Sequence, residues 1–201
     1  MTPPTTPQGR GRYPGYDVLD QVYHWDEATR RVVLARLDPP PIRFFDEDEA
    51  RTLAAFCDTV MAQDSEPRID VLAFVDEKLH EGRLDGFQYH DLPDDRDVWR
   101  IVARGLDEAA RARDFSTFAD ALPAERRAIC GDFAAGKLEG GAWEELNVSR
   151  AWEVVMRAVV QGFYSHPWAW NEMGFGGPAY PRGYAALGAG HKEHWEGDEA
   201  S

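Results

Sequence analysis

Between Gly162 and Tyr184 the chain combines Pro167, Pro178 and Pro181 with Gly174, Gly176 and Gly177. The prolines fix φ and remove backbone donors, while the glycines admit backbone angles that other residues avoid. No regular helix is expected to run through such a stretch, and the chain should follow one particular irregular path. It also carries Phe163, Tyr164, Trp168, Trp170, Phe175, Tyr180 and Tyr184, with Trp195 a little further on. That is too much aromatic surface for a solvated loop. Large amphipathic rings with few rotatable bonds suit a surface held against another. Two readings stay open: the arm folds back over its own helices, or it packs on a different protein. Both hold if different faces are used.

Upstream, apolar residues recur at helical spacing. Asp26 offers an N-cap for a short helix to Leu37, stopped by Pro39, Pro40 and Pro41, which form a stiff spacer. Asp46 and Glu49 make a capping box before Leu53, Phe56, Cys57, Val60 and Met61. A further helix is expected from about Ile69 to His80, ending near Gly82, with Phe87 and Tyr89 in the loop beyond. Asp94 or Asp95 caps an amphipathic helix through about Arg113. Shorter segments follow at Ser116 to Ala121 and Pro123 to Ala135, the latter with proline in its first turn and Gly136 at its end. The last long helix spans about Trp143 to Tyr164. Strand-like alternation competes nowhere, and no internal repeat is visible.

The fold expected is therefore all-α, an irregular bundle of about six helices with an extended N-terminal arm and an aromatic, Gly- and Pro-rich C-terminal arm. Its organisation reads as a flexible tail over residues 1–15, one helical domain over 16–195 with the arm at 162–195, and an acidic tail at 196–201. At 201 residues and 43% hydrophobic, the chain can bury a core without disulfides. Cys57 and Cys130 sit in apolar helical stretches and read as reduced core thiols, a long-range disulfide being the alternative.

A net charge of −14, from 36 acidic against 22 basic residues, would repel nucleic acid and anionic lipid. No apolar run approaches the roughly 18 residues that span a bilayer. Residues 1–15 have no signal-peptide run, and Arg30-Arg31 begins too far in for a twin-arginine leader, so a cytoplasmic location is expected.

Chemistry of the chain's own finds little footing. The Gly174 to Gly177 cluster is followed by Pro178 and lies in no strand, turn and helix unit, so it is not a dinucleotide or phosphate cradle. Two separated cysteines exclude attached haem and an iron-sulfur cluster within the chain. His191 and His194, beside Glu193 and Glu196, could sample a metal, but a solvated tail is the simpler reading. His166, fixed by Pro167, reads as a structural hydrogen-bonding residue before a proton carrier. Arg182 could stack on Tyr180 or Tyr184, pair with a partner carboxylate, or close an internal salt bridge.

The arm resembles the gluconate 2-dehydrogenase subunit 3 family, the small gamma subunit that accompanies a flavin-dependent dehydrogenase of the glucose-methanol-choline oxidoreductase type. The residues carrying the likeness are Val160 to Tyr164, Ser165-His166-Pro167, Trp170-Asn171-Glu172 and Gly174 to Tyr184. Arg43-Phe44-Phe45, Phe56-Cys57-Asp58 and the Leu122 to Leu138 helix are similar to it as well, so the likeness runs from about Tyr13 to Trp195. Ala62 departs from it, since members tend to carry proline there.

The resemblance implies that FAD sits in a large partner subunit and that a cytochrome or another acceptor handles the electrons. It implies no catalytic, cofactor or metal residue in this chain. The expected role is a non-catalytic small subunit that binds and stabilises an FAD-dependent sugar or gluconate dehydrogenase. Its contact residues would be Phe44, Phe45, Tyr164, His166, Trp168, Trp170, Phe175, Tyr180, Arg182 and Tyr184. The rivals are a helical chaperone acting transiently on flavoprotein maturation and an enzyme built around His166, Glu172 and Arg182.

Overall fold

The structure is a computed structural model and describes residues 12–13, 15–83, 86, 88–186 and 188–199. The tail expected over 1–15 lies outside them except for Arg12, Tyr13 and Gly15, and so does Phe87. Among the described residues the chain is all-helical, with seven α-helices, two 3-10 helices and no strand. The α-helices are α1 (Glu27–Ala35), α2 (Glu47–Val60), α3 (Val71–His80), α4 (Asp95–Arg111), α5 (Pro123–Ala134), α6 (Val148–Tyr164) and α7 (Pro167–Met173). The 3-10 helices are Val18–His24 and Gly141–Glu145. The described residues gather into two compact units. The first holds those up to Pro39, Ser65–Ile69, and those from Phe163 onward; the second holds Pro40–Asp64 and Asp70–Gly162.

In the second unit α2 packs against α3, α4 and α5, and α4 packs against the Gly141–Glu145 3-10 helix. The helix starts follow local capping chemistry. The Glu49 N–H donates to Asp46 and the Asp46 N–H to Glu49, closing the box. Asp70 and Asp94 cap α3 and α4, and Pro123 opens α5. Leu53, Phe56, Val98, Trp99, Leu106, Phe118, Ile129 and Phe133 are buried. The Phe133 ring lies 4.9 Å from Trp143 and 5.2 Å from Trp152. Gly105 makes the α4 contact possible, because a Cβ there would stand 2.5 Å from the Trp143 ring. Cys57 and Cys130 are free and buried. Burial pushes both thiols up, Cys130 to about 12.

Three boundaries differ from the sequence reading. The helix expected from Trp143 instead breaks at Leu146, which is extended, and α6 restarts behind Asn147. The Asn147 side chain accepts from the Arg150 N–H (3.3 Å), so an Asx cap competes with continuing the helix. Residues 116–121 form turns, not a helix. Asp107 holds them by accepting from the Phe118 N–H (2.9 Å) and from the Thr52 hydroxyl (2.8 Å). The third is α7 itself, a regular helix within the stretch expected to contain none.

Candidate partner-binding surface

α7 forms because its punctuation lies at its ends. Pro167 occupies the first helical position, where its missing N–H costs nothing, and Gly174 stops the helix at φ +67°. His166 caps the start, its Nδ1 accepting from the Trp168 N–H (3.1 Å). The imidazole is buried, and desolvation lowers its pKa to about 4, against an opposing hydrogen bond with the Arg36 main chain. His166 is thus a neutral structural acceptor.

The buried face of α7 belongs to this chain. Trp170 packs with Val18, Trp25 and Val33, flanked by Tyr16, Leu19 and Val22. Its indole N–H donates to the Tyr164 carbonyl (2.7 Å). Asn171 accepts from the Val18 N–H (2.8 Å) and donates to Asp17 (3.3 Å), fixing the 3-10 helix Val18–His24 against α7. The Arg36 guanidinium donates to the Ser165 carbonyl (2.6 Å).

Beyond α7 the glycines are needed for contact with rings. A Cβ on Gly174 would meet Tyr13 at 2.5 Å, one on Gly176 would meet Trp195 at 2.5 Å, and one on Gly177 would meet Trp25 at 2.6 Å. The space beside them is filled by this chain's own aromatic side chains. Arg182 stacks on Trp195, its Cζ 4.1 Å from the ring centre, and donates to Gln21 Oε1 (2.8 Å). Of the alternatives open for Arg182, stacking is the one seen, on Trp195 in place of Tyr180 or Tyr184. The segment near His191 and His194 is not a solvated tail either. Glu193 and Trp195 are buried, and the Glu193 carboxylate accepts from the Ala185 and Ala186 N–H groups.

The second unit holds the remaining pair. Phe45 is buried and Phe44 half-buried, with the Arg100 guanidinium 4.4 Å from the Phe44 ring centre. Asp76, fully buried on α3, accepts from the N–H groups of Arg43 (2.7 Å), Phe44 (2.9 Å) and Phe45 (3.0 Å). Sequence reasoning missed this residue. The available signal was a carboxylate one turn after Leu72 on an otherwise apolar face.

The ten candidate residues therefore separate. Phe45, His166 and Trp170 are core; Phe44, Trp168 and Arg182 are half-buried; Tyr164, Phe175, Tyr180 and Tyr184 face outward. Exposed large apolar side chains are unevenly distributed. Tyr23, Val32, Leu34, Tyr164, Met173, Phe175, Tyr180 and Tyr184 belong to the first unit, against Ile42, Leu122 and Val160 in the second. Tyr23 and Tyr180 are the most open, at 85% and 67%.

In a cleft of about 490 Å³ in the second unit, Glu108 accepts from the Ala142 N–H and Arg113 pairs with Glu125 and Asp132. Among the described residues no group of three or more His, Cys, Asp or Glu is placed to hold a metal. Among them, too, no helix is long and apolar enough to cross a membrane.

Fold and surface together define a class: a protein helical throughout its described residues, most of whose exposed large apolar side chains belong to one of its two compact units. Residues 47–177, more than half of the chain, match the family described as Gluconate 2-dehydrogenase subunit 3, and the protein belongs to that family. The match covers α2 through α7 and ends at Gly177, short of the Tyr180 to Tyr184 part of the resemblance. Neither a curated protein nor a solved structure matches the chain.

Proposed function

We propose that this chain is the non-catalytic small subunit of an FAD-dependent sugar or gluconate dehydrogenase, binding and stabilising a large subunit of the glucose-methanol-choline type. FAD and the oxidation chemistry lie in that partner, which passes electrons to a cytochrome or another acceptor. The observation that carries the reading is the concentration of exposed aromatic and aliphatic side chains on the first unit of a chain whose family is a dehydrogenase subunit. Exposed aromatic and aliphatic side chains are what a protein interface covers. Tyr164, Phe175, Tyr180 and Tyr184 make the contact. Phe45, His166 and Trp170 act beneath it as framework, and Phe44, Trp168 and Arg182 contribute their exposed edges.

The test is co-purification from the native cells, followed by mass spectrometry and a flavin absorbance spectrum. A stoichiometric flavoprotein that oxidises sugar acids or sugars is the expected companion. Replacing Tyr164, Phe175, Tyr180 and Tyr184 together by serine should leave the helical circular dichroism unchanged and release the flavoprotein. A complex with undiminished affinity and flavin content in that variant refutes the surface; a chain always recovered alone refutes the role.

A further inference from the structure

We propose that residues 188–199 form a strap that closes over the Gly174 to Gly177 turn through Trp195 and opens locally while the helices stay folded. Its closed state fixes the turn that carries Tyr180 and Tyr184.

The fastenings are few. No described residue beyond α7 is in an α-helix or a strand. The strap is held by the Gly197 N–H donating to the Gly174 carbonyl (2.9 Å), by the buried Glu193 carboxylate on the N–H groups of Ala185 and Ala186, and by Trp195. The exposed contacts of Glu199 with Arg12 (2.9 Å) and Tyr13 (3.1 Å) hold its end. Trp195 is the anchor, its Cδ1 and Nε1 atoms beside Gly176 and the Arg182 guanidinium over the ring. Closure has a specific penalty. Trp195 Nε1 and Arg182 Nε are both buried and find no hydrogen-bond acceptor among the described residues. Sealing a donor from water without an acceptor opposes burial. One ring and a few bonds set against two stranded donors make an element of low local stability, and such segments open without global unfolding.

Closure also positions the neighbouring turn. Arg182 lies between Pro181 and Gly183, and its side chain is held by Gln21, by the Gly176 carbonyl (3.5 Å) and by Trp195. When Trp195 leaves, the turn loses one of those three holds. A partner that binds Tyr180 and Tyr184 in their closed geometry must, by linkage, draw the strap shut. This coupling rests on the accessory-subunit reading; the opening itself does not.

Amide exchange measured by NMR on the full chain tests both parts. In the isolated protein the amides of Gly197, Ala185 and Ala186 should be protected yet exchange independently of denaturant, while core amides of α4 follow global unfolding. Trp195→Ala should abolish protection at these three amides and leave α4 unchanged. Gly176→Ala, whose methyl would stand 2.5 Å from Trp195 Cδ1, should do the same. Trp195→Phe keeps a ring under Arg182 and removes one stranded donor, so protection should stay within roughly threefold of the parent. Exchange of the three amides only through global unfolding, or a Phe variant as open as the Ala variant, overturns the strap. The co-purifying flavoprotein should slow exchange at the same three amides. Binding without that slowing overturns the coupling, whereas no binding refutes the accessory role and leaves the strap to the isolated-chain result.

Discussion

Asp76 gives the sharpest test of how the Arg43 to Phe45 segment is held. Its side chain is fully buried, and three consecutive backbone N–H groups converge on it. Replacing it by alanine strands three donors. The Phe45 N–H is buried and loses its acceptor outright, at about 1–3 kcal/mol. The other two are partly buried and regain some water, adding about 1 kcal/mol each. The total, about 3–5 kcal/mol, is a large fraction of a typical domain's roughly 5–15 kcal/mol. Asparagine separates hydrogen bonding from charge. With its carbonyl where Oδ2 now sits, it still accepts from Phe44 and Phe45 and fails only Arg43. Its cost should be about 1–2 kcal/mol. Urea unfolding followed by amide exchange in α3 and α4 reports on this unit directly, and the expected order is wild type, Asp76→Asn, Asp76→Ala. A loss below about 1 kcal/mol in the alanine variant, or equal losses in both, would refute the hydrogen-bond account.

Other substitutions probe the arm and its caps. Gly177→Ala combines φ +73° with a Cβ 2.6 Å from Trp25, so it should lower stability by about 2–4 kcal/mol. Gly183→Ala meets the same backbone penalty in open space and should cost only about 1–2 kcal/mol, a contrast that thermal unfolding resolves. Ala62 has φ +54°, which proline cannot adopt, and its N–H donates to the Thr59 carbonyl (3.3 Å). Ala62→Pro should therefore cost about 3 kcal/mol and Ala62→Gly should be neutral or slightly stabilising in denaturant melts. His166 is held neutral by burial, its pKa depressed from 6.5 to about 4. The unfolded chain binds its proton first, so stability is complete above about 6.5 and declines as pH falls toward 4. His166→Asn keeps a capping acceptor and should flatten the melting temperature across that interval.

Much of the fold was legible because helix signals are local. Asp46 with Glu49, Asp94, Pro123 and Gly136 each act within one turn of backbone, and the helices begin and end beside them. The resemblance of the arm to a known subunit was legible for the same reason, being carried by contiguous residues. The α7 helix was misread because proline and glycine were counted without regard to position: at a helix start and just past its end they are compatible with helix.

What the sequence determined by itself was therefore the helical class, most helix limits and the family. The tertiary structure alone decided which aromatic residues turn inward. Trp170 and Tyr180 are indistinguishable by composition, yet one sits in a core with Val18 and Trp25 and the other is open to solvent. The difference is made by contacts between distant residues, Asn171 with Val18, Arg182 with Gln21, Asp76 with Arg43 to Phe45. Such pairings follow from where the whole chain places two surfaces, and no local pattern encodes the partner.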